Sequence, residues 1–425
     1  MIMGYLRRLI DNELDELLPE LVAIALDGPK GVGKTETAER RAQGLFRLDS
    51  GARRETVLAD PTVILKSPRP TLLDEWQLVP EVWDVVRRQV DHDPTPRQFL
   101  LTGSASVRPG ATAHSGAGRI VRLRMRPMTL SERGVGPTTV GLRELLTGSR
   151  PAVEGESEVR LGDYVEEILR SGLPGIRPLS PRGRRAQLDG YLRGVVDRDV
   201  PDNGLAVRKP QVLLNWLKAY AAATSTTASY SRILDAATPG ESDKPAKTTG
   251  IAYRDILTQL WLLDPVPGWA PTRNILTRLQ QAPKHHLADP ALAARLVGAT
   301  PDSLMEGSGT TIGPQQGTLL GHLFESLATL CVRVAAQAAE ASVGHLRTGN
   351  GNHEVDLVVA RDDGKVVAFE VKLAASVTDR DVRHLHWLKE QLGAALLDSA
   401  VLTTGPTAYR RKDGIAILPL ALLGP

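Results

Sequence analysis

The stretch Leu21–Thr35, LVAIALDGPKGVGKT, decides the fold of this chain. Its first six residues are all apolar, which is typical of a strand buried on both faces of a parallel sheet. The strand runs directly into Gly28–Thr35, which fits the pattern G-x-x-x-x-G-K-[ST] of a phosphate-binding loop. This order of strand and loop predicts a P-loop α/β domain.

The small residues of the loop let successive backbone N–H groups face a β-phosphate. We expect Lys34 to neutralise the β- and γ-oxygens and Thr35 to ligate Mg²⁺, with the following helix adding its dipole. ATP and Mg²⁺ are therefore the expected cofactors, and a flexible Gly/Lys turn is the alternative. The candidate ATP-binding residues of the loop are Gly28, Pro29, Lys30, Gly31, Val32, Gly33, Lys34, Thr35 and Glu36.

An acidic pair follows a second apolar strand. Thr71–Leu73 runs into Asp74 and Glu75, and we expect Asp74 to hold the magnesium ion. Glu75 is predicted to activate the water that attacks the γ-phosphate. A solvated turn is the alternative for this pair.

Hydroxyl and basic side chains complete the predicted nucleotide site. Thr102 and Ser104 end a further apolar strand, where either could contact the γ-phosphate or simply form a turn. In the alternating segment Gly118–Arg126, Arg119 is predicted to reach the γ-phosphate of its own or a neighbouring subunit. The predicted catalytic residues are thus Lys34, Glu75 and Arg119, while the other three arginines of the segment are expected to be solvated.

Bulk composition limits the classes of protein that remain. The 425 residues exceed what one core usually serves, and 42% apolar with 24% charged residues is the balance of a globular chain. A net charge of +3 is too balanced to indicate nucleic-acid binding by itself. The single cysteine, Cys331, lies on an apolar helix face and cannot form an internal disulfide. Without a leader or a long apolar run, a cytoplasmic protein without a membrane span is expected.

The remaining pattern predicts the organisation of the chain. Further strands are predicted at Val63–Leu65, Thr71–Leu73 and Gln98–Thr102, with a helix at Glu81–Val90 between the last two. Strands that alternate with helices indicate a doubly wound parallel sheet. Helices at Val212–Tyr220, Ser229–Ala237 and Ala252–Leu263 favour either a winged helix or an ordinary helical module. We divide the chain into a P-loop domain (1–142), a helical linker (143–208), a winged-helix-like module (209–270) and an α+β C-terminal domain (271–425).

The C-terminal domain contains a candidate carboxylate site. A helix at Leu319–Ala339 precedes strands at Glu354–Ala360 and Lys365–Lys372, which Asp363-Gly364 is predicted to join as a hairpin. Residues two apart on a strand share a face, so Glu370 and Lys372 would lie together beside Asp356. Two carboxylates that hold Mg²⁺ and a lysine that orients water would suit a nuclease, whereas a plain surface strand is the alternative.

The histidine pairs in the sequence do not indicate a metal site. His285 and His286 are expected to form an exposed loop pair. His384 and His386, two apart on a helix, do not share a face and make a poor metal pair.

The order of motifs resembles a prokaryotic AAA+-like P-loop ATPase family with a C-terminal domain called DUF4143. The resemblance covers nearly the whole chain, although only the nucleotide-site motifs are individually specific. The motifs that carry it are Gly28–Thr35, Leu72–Gln77, Leu100–Ser104, Gly118-Arg119, Pro127–Glu132, Ser171–Pro174 and Tyr191–Asp199.

The resemblance implies a winged-helix middle and a PD-(D/E)XK nuclease-like end, in which Glu325 is the fourth site residue beside Asp356, Glu370 and Lys372. An insertion-like stretch, residues 238–249, departs from the family's winged helix.

These observations lead to two functional hypotheses. The first is an ATPase that hydrolyses ATP with Mg²⁺ and whose nucleotide state repositions a winged-helix and nuclease-like region acting on DNA or RNA. The second is a nucleotide-dependent regulatory or scaffold protein whose C-terminal domain binds DNA or a protein partner without cleavage. A homo-oligomer is a candidate assembly in both, and neither has a membrane as partner.

Overall fold

The N-terminal domain is built on a parallel sheet. The computed structural model describes residues 4–104, 116–238, 246–270, 281–306, 319–349 and 351–425. The five strands of the sheet follow the order β2-β3-β4-β1-β5, and every neighbouring pair is parallel. The expected P-loop α/β fold is therefore confirmed. The strands are β1 (Ala23–Asp27), β2 (Gly44–Arg47), β3 (Thr71–Asp74), β4 (Phe99–Gly103) and β5 (Val121–Arg124).

Alternate residues of β1 enter different cores, as the two-residue period of a strand requires. Ile24 and Leu26 belong to a core shared with the rest of the chain, whereas Ala23 and Ala25 pack in a core confined to this domain. Both faces of the sheet are thus buried, which explains the unalternating apolar sequence. The flanking helices are α1 (Leu9–Leu17), α2 (Lys34–Glu39), α3 (Gly51–Ala59) and α4 (Glu81–His92).

In the N-terminal sheet, one predicted strand was wrong and one strand was missed. Residues Val63–Leu65 lie in a 3₁₀ helix, Pro61–Lys66, in which only Ile64 is buried. Pro61 presets the helical φ at the first position, and the Asp60 side chain accepts a hydrogen bond from the backbone of Thr62. The missed strand, β2, buries only alternate residues, so its sequence shows no continuous apolar run.

The middle of the chain is mainly helical. The three expected helices are present as α9–α11, and Leu263 and Val266 then pair antiparallel with Leu287 and Lys284 through isolated bridges. Part of the insertion-like stretch, residues 239–245, lies outside the described residues. In chain order the elements are β6 (Val140–Gly141), α5 (Leu142–Leu145), β7 (Gly155–Glu156), α6 (Leu161–Arg170), α7 (Pro181–Gly194), a π-helical turn (Val195–Asp199), α8 (Val200–Asp202), α9 (Pro210–Ala222), α10 (Tyr230–Ala237), α11 (Lys247–Gln259), α12 (Pro290–Leu296) and α13 (Pro301–Met305).

The C-terminal region is a mixed α+β unit. Its seven-stranded sheet has the order β7-β12-β13-β11-β10-β9-β8, so that β7 from the middle of the chain forms one edge. The expected hairpin joins β9 and β10, with Gly364 at φ +82° in the turn. Its elements are α14 (Leu319–Ala338), β8 (Ser342–Arg347), β9 (Glu354–Ala360), β10 (Val366–Lys372), α15 (Asp379–Leu392), β11 (Leu396–Thr403), β12 (Thr407–Arg410), β13 (Ala416–Pro419) and β14 (Leu423–Gly424).

Helix α14 is the central apolar element of the shared core. It is the one helix among the described residues that is long and apolar enough to cross a membrane, but 72% of its most apolar window is buried inside the protein. That burial is typical of a core helix. Cys331 lies on it and is buried, as predicted, and burial raises the pKa of its thiol to about 11.

The three parts of the chain share one continuous core. It includes Ile24 of β1, Trp216 of α9, Phe324 of α14 and Phe369 of β10. Short strands reinforce this packing, because β6 pairs with β14 and β7 pairs with β12. The P-loop domain is therefore packed against the elements that follow it.

Candidate functional site

The phosphate loop needs glycine at three of its positions. Gly28, Gly31 and Gly33 have φ values of +155°, +74° and +106°. Residues that carry a Cβ rarely adopt such values. A Cβ at Gly28 would also lie 2.2 Å from the carbonyl oxygen of Met125. The backbone N–H groups of such a loop form a concavity for an anion, which fits the predicted phosphate site.

The ammonium of Lys34 lies inside the loop. Its Nζ donates to the carbonyl oxygens of Gly28 at 2.8 Å and Pro29 at 2.9 Å. Burial lowers the pKa of Lys34 to about 8, although the nearby carboxylates of Glu75 and Asp74 favour the charged form. Phosphate oxygens are stronger acceptors than these carbonyls, so the ammonium is positioned to turn towards a nucleotide.

Asp74 joins the loop to the two neighbouring strands. The Thr35 hydroxyl donates to Asp74 Oδ1 at 2.7 Å, and the Thr102 hydroxyl donates to the same atom at 2.5 Å. Asp74 is directly opposite Thr102 in the parallel register of β3 and β4. A hydroxyl and a carboxylate side by side are the hard oxygen ligands that Mg²⁺ prefers, so these residues fit the ion.

Glu75 has a strained backbone and a supported side chain. Its φ of +54° lies in the left-handed region, which is uncommon for a residue with a side chain. The Ser104 hydroxyl donates to Glu75 Oε2 at 3.0 Å, and the Gln77 amide donates to the same oxygen. Gln77 was not predicted, although its position two residues after Glu75 could have indicated it. Thr102 and Ser104 thus contact Asp74 and Glu75, respectively.

Arg119 lies far from the loop of its own chain. Arg119 precedes the amino end of β5, whereas the loop follows the carboxyl end of β1, which runs parallel to β5. The stretch of β1 from Ile24 to Asp27 that pairs with β5 already spans roughly 10 Å at about 3.3 Å per residue. The guanidinium is paired with Asp91 of α4 at 2.5 Å. The geometry therefore does not support contact with the γ-phosphate in cis, and a role in trans stays a prediction.

The other loop residues have structural partners. Lys30 is paired with Asp199 of the π-helical turn at 2.5 Å, and Glu36 is paired with Arg40 on the exposed face of α2. Val32 is buried, and its carbonyl oxygen accepts from Nη1 of Arg8 at 3.0 Å. Arg8 was missed because nothing in the N-terminal sequence links it to a loop more than twenty residues later.

A buried cluster of arginines lies behind the loop. Asp264 is 5% exposed and is paired with Arg124 at 3.0 Å, Arg126 at 2.8 Å and Arg333 at 2.8 Å. Burial acts to raise the pKa of Asp264, but the three guanidinium groups outweigh it and the pKa is lowered. The expectation that Arg124 and Arg126 are solvated was wrong, because both turn towards Asp264. Arg122 is half-exposed and is paired with Asp27.

Two of the predicted C-terminal site residues, Glu325 and Asp356, contact a lysine that was not predicted. Lys284 Nζ lies 2.8 Å from Glu325 Oε1, 3.0 Å from Asp356 Oδ1 and 3.4 Å from Glu354 Oε1. Lys372 is paired with Glu370 at 2.8 Å. Within the described residues, no group of three or more acidic, histidine or cysteine side chains is arranged to hold a metal ion.

The electrostatics of this cluster reflect burial and the two lysines. Burial raises the pKa of Glu325 to about 8 and raises the pKa of Glu370. For Asp356, burial acts in the same direction, but the ammonium groups of Lys284 and Lys372 outweigh it and lower the pKa. Burial opposes the charged form of Lys284, yet the surrounding carboxylates raise its pKa well above the usual value.

The expectation for one histidine pair was wrong. His285 and His286 are buried, at 0% and 2% exposure, and their segment packs against the helical module. The His285 ring contacts the backbone oxygen of Ala228 at 2.7 Å. His384 and His386 have separate neighbours, His353 and Asp413 respectively, as expected for residues that do not share a helix face.

Comparison with known proteins agrees with the geometry of the nucleotide site. A family model described as an AAA domain matches residues 22–134, and the domain of unknown function DUF4143 matches residues 320–423. A second domain of unknown function, DUF8612, matches residues 161–303, which include the helical module and Lys284.

Two mycobacterial proteins are similar to most of the chain. They are "Uncharacterized protein Mb2031c" of Mycobacterium bovis and "Uncharacterized protein Rv2008c" of Mycobacterium tuberculosis. Each is 26% identical over 426 aligned positions, which cover 97% of this chain and 83% of the relative. Their names assign no activity. The AAA-domain and DUF4143 matches agree with the expected order of an AAA-like ATPase domain followed by a C-terminal DUF4143 domain.

Proposed function

We propose that this protein hydrolyses ATP with Mg²⁺ and that its nucleotide state changes the packing of the middle and C-terminal regions. The observation that carries the first part is the contact of Thr35 and Thr102 with one oxygen of Asp74, beside the buried ammonium of Lys34. Side chains from the loop, β3 and β4 thereby meet where the terminal phosphates of a nucleotide would lie.

Each side chain has a defined task in this reaction. Lys34 would bind the β- and γ-oxygens, while Thr35 and Asp74 would hold Mg²⁺, which supplies charge neutralisation at the phosphates. Glu75 would accept a proton from the attacking water as the new bond to phosphorus forms and the bond to the β–γ bridging oxygen breaks. Ser104 and Gln77 hold the Glu75 carboxylate in place, and the products are ADP and phosphate.

A chain of hydrogen bonds supports the coupling part of the proposal. Arg8 donates to Val32 of the loop and, through Nη2, to the backbone oxygen of Arg126 at 2.7 Å. The Arg126 side chain then contacts Asp264, which Arg333 of α14 also contacts. If nucleotide binding displaces the loop, the movement would reach the buried charges of Arg126, Asp264 and Arg333. These residues lie in the P-loop domain, the middle module and the C-terminal domain, respectively.

Replacing Asp264 with asparagine should weaken the fold and this coupling. Three arginines would lose their shared counter-charge in a buried site, which should lower the free energy of unfolding by about 3 kcal/mol or more. Urea unfolding of the variant checks this value. Asp189→Asn is the matched control, because Asp189 forms a half-exposed pair with Arg295 and its replacement should cost less than about 1 kcal/mol.

The coupling is measured by hydrogen exchange. In the wild-type protein, ATP with Mg²⁺ should change the exchange of amides in α14, and Arg333→Lys should reduce that change while the protein remains folded. An unaltered response in Arg333→Lys would count against the Asp264 cluster as the connection. Equal exchange in wild type with and without nucleotide would count against coupling to α14 altogether.

We further propose nucleic acid as the partner of the middle and C-terminal regions. The three helices followed by paired segments 263–266 and 284–287 support a winged helix, and the mixed sheet with its carboxylate cluster supports a nuclease-like fold. The same proposal includes domain boundaries at residues 142, 208 and 270. It also includes a cytoplasmic location and a homo-oligomer in which Arg119 acts in trans.

The experiment for this part is ATP turnover with and without single-stranded DNA, double-stranded DNA and RNA. Stimulation by one of them, lost when salt screens the phosphates, is the expected result. Equal turnover in all cases would favour the second candidate, a regulatory or scaffold protein with a protein partner. The position of Lys284 among the C-terminal carboxylates is the observation that favours binding without cleavage.

A further inference from the structure

Lys284 enters the C-terminal carboxylate cluster from a different part of the chain. It lies in the segment that pairs with Val266, within the DUF8612 match, whereas its carboxylate partners lie in the DUF4143 match. The same segment follows the edge of the C-terminal sheet, where the His345 ring contacts the backbone oxygen of Ala282 at 3.0 Å. The lysine is therefore held by backbone contacts as well as by its charge.

The side chain fits its surroundings as an ammonium. Lys284 is 1% exposed, and its ammonium donates to Glu325 Oε1 and Asp356 Oδ1 and lies 3.4 Å from Glu354 Oε1. The second oxygen of Asp356 accepts from the backbone N–H of Val371 at 2.9 Å. A magnesium ion would need about six oxygens at roughly 2.1 Å, and an ion shared by Glu325 and Asp356 would coincide with this nitrogen.

We infer that the Lys284 ammonium is the built-in cation of the C-terminal carboxylate cluster, so that the cluster fastens the middle module to the C-terminal domain and holds no catalytic metal. A buried carboxylate needs a partner, and the lysine supplies one to the carboxylates that face it. The implied Mg²⁺ of a nuclease therefore does not fit these residues. This inference is independent of the nucleotide site and holds whether or not ATP is hydrolysed.

The test compares thermal unfolding of the nucleotide-free full chain in EDTA and in Mn²⁺. The wild-type midpoint should be the same in both. Lys284→Met should unfold on the order of 10 °C lower in EDTA, because its carboxylates lose their cation. Mn²⁺ should restore part of that loss, since the carboxylates are then free to bind a metal, and the added Asp356→Asn change should abolish the restoration.

Lys365→Met is the matched control, because Lys365 is half-exposed beside Asp363 and its replacement should shift neither midpoint. If Lys284→Met does not fold, Mn²⁺ binding to the wild type and to Asp356→Asn, measured by calorimetry, decides the question. Equal binding by the two proteins supports the inference. Mn²⁺ binding or Mn²⁺-dependent DNA cleavage that Asp356→Asn removes from the wild type would overturn it.

Discussion

ATP hydrolysis should fall by about 10³-fold or more in Lys34→Ala. The variant loses the ammonium that contacts the carbonyl oxygens of Gly28 and Pro29 inside the phosphate loop. The fold should persist, because burial of Lys34 disfavours its charged form and alanine removes that cost. Steady-state phosphate release and nucleotide titration measure the effect.

Lys66→Ala is the control for this variant. Lys66 is an exposed lysine at the end of a 3₁₀ helix in the same domain, so its removal changes net charge without touching the loop. Its turnover should equal that of the wild type. Hydrolysis by Lys34→Ala at a comparable rate would show that the loop does not bind the phosphates as described.

Hydrolysis should fall by about 10²- to 10⁴-fold in Glu75→Gln while ATP binding is retained. Glutamine keeps the size of the side chain and can still accept a hydrogen bond from Ser104, but it cannot take a proton from water. Single-turnover hydrolysis and equilibrium binding of ATP separate these two effects. Because binding should survive, the variant should trap the ATP-bound form.

Glu81→Gln is the matched control, since Glu81 is an exposed residue at the start of α4. It should hydrolyse ATP at the wild-type rate. If Glu75→Gln does so as well, the water-activating role belongs to another group. If Glu75→Gln loses binding together with turnover, Glu75 acts on the nucleotide itself.

The arrangement of the candidate nucleotide site was predictable because it follows from a short loop motif and the parallel order of the strands. The loop is eight consecutive residues after a buried strand, and Asp74 and Thr102 lie at the carboxyl ends of β3 and β4, which are parallel to β1 in the same sheet. Parallel strands of this fold bring their carboxyl ends to one edge of the sheet. A residue at the end of a predicted strand is therefore expected to lie beside the loop. Gln77 was missed because only its spacing of two residues from Glu75 indicated a contact, and a polar residue in a short turn is common.

The charge clusters were not predictable from local sequence. Arg126 and Asp264 are 138 positions apart, and Lys284 and Asp356 are 72 apart. Alternation of arginine with apolar residues in β5 suggested a solvated strand, but packing of the middle module covers its carboxyl end. The burial of His285 and His286 was missed for a related reason. Their short polar stretch looks like an exposed loop, but it pairs with residues 263–266 and is buried.

The structure of the protein with Mg²⁺ and a non-hydrolysable ATP analogue tests the central claim most directly. We predict that Lys34 Nζ leaves the carbonyl oxygens of Gly28 and Pro29 and contacts the β- and γ-phosphates, while Thr35 ligates the metal on the side of Asp74. A nucleotide bound elsewhere, or bound here with Lys34 still on those carbonyls, would contradict the account.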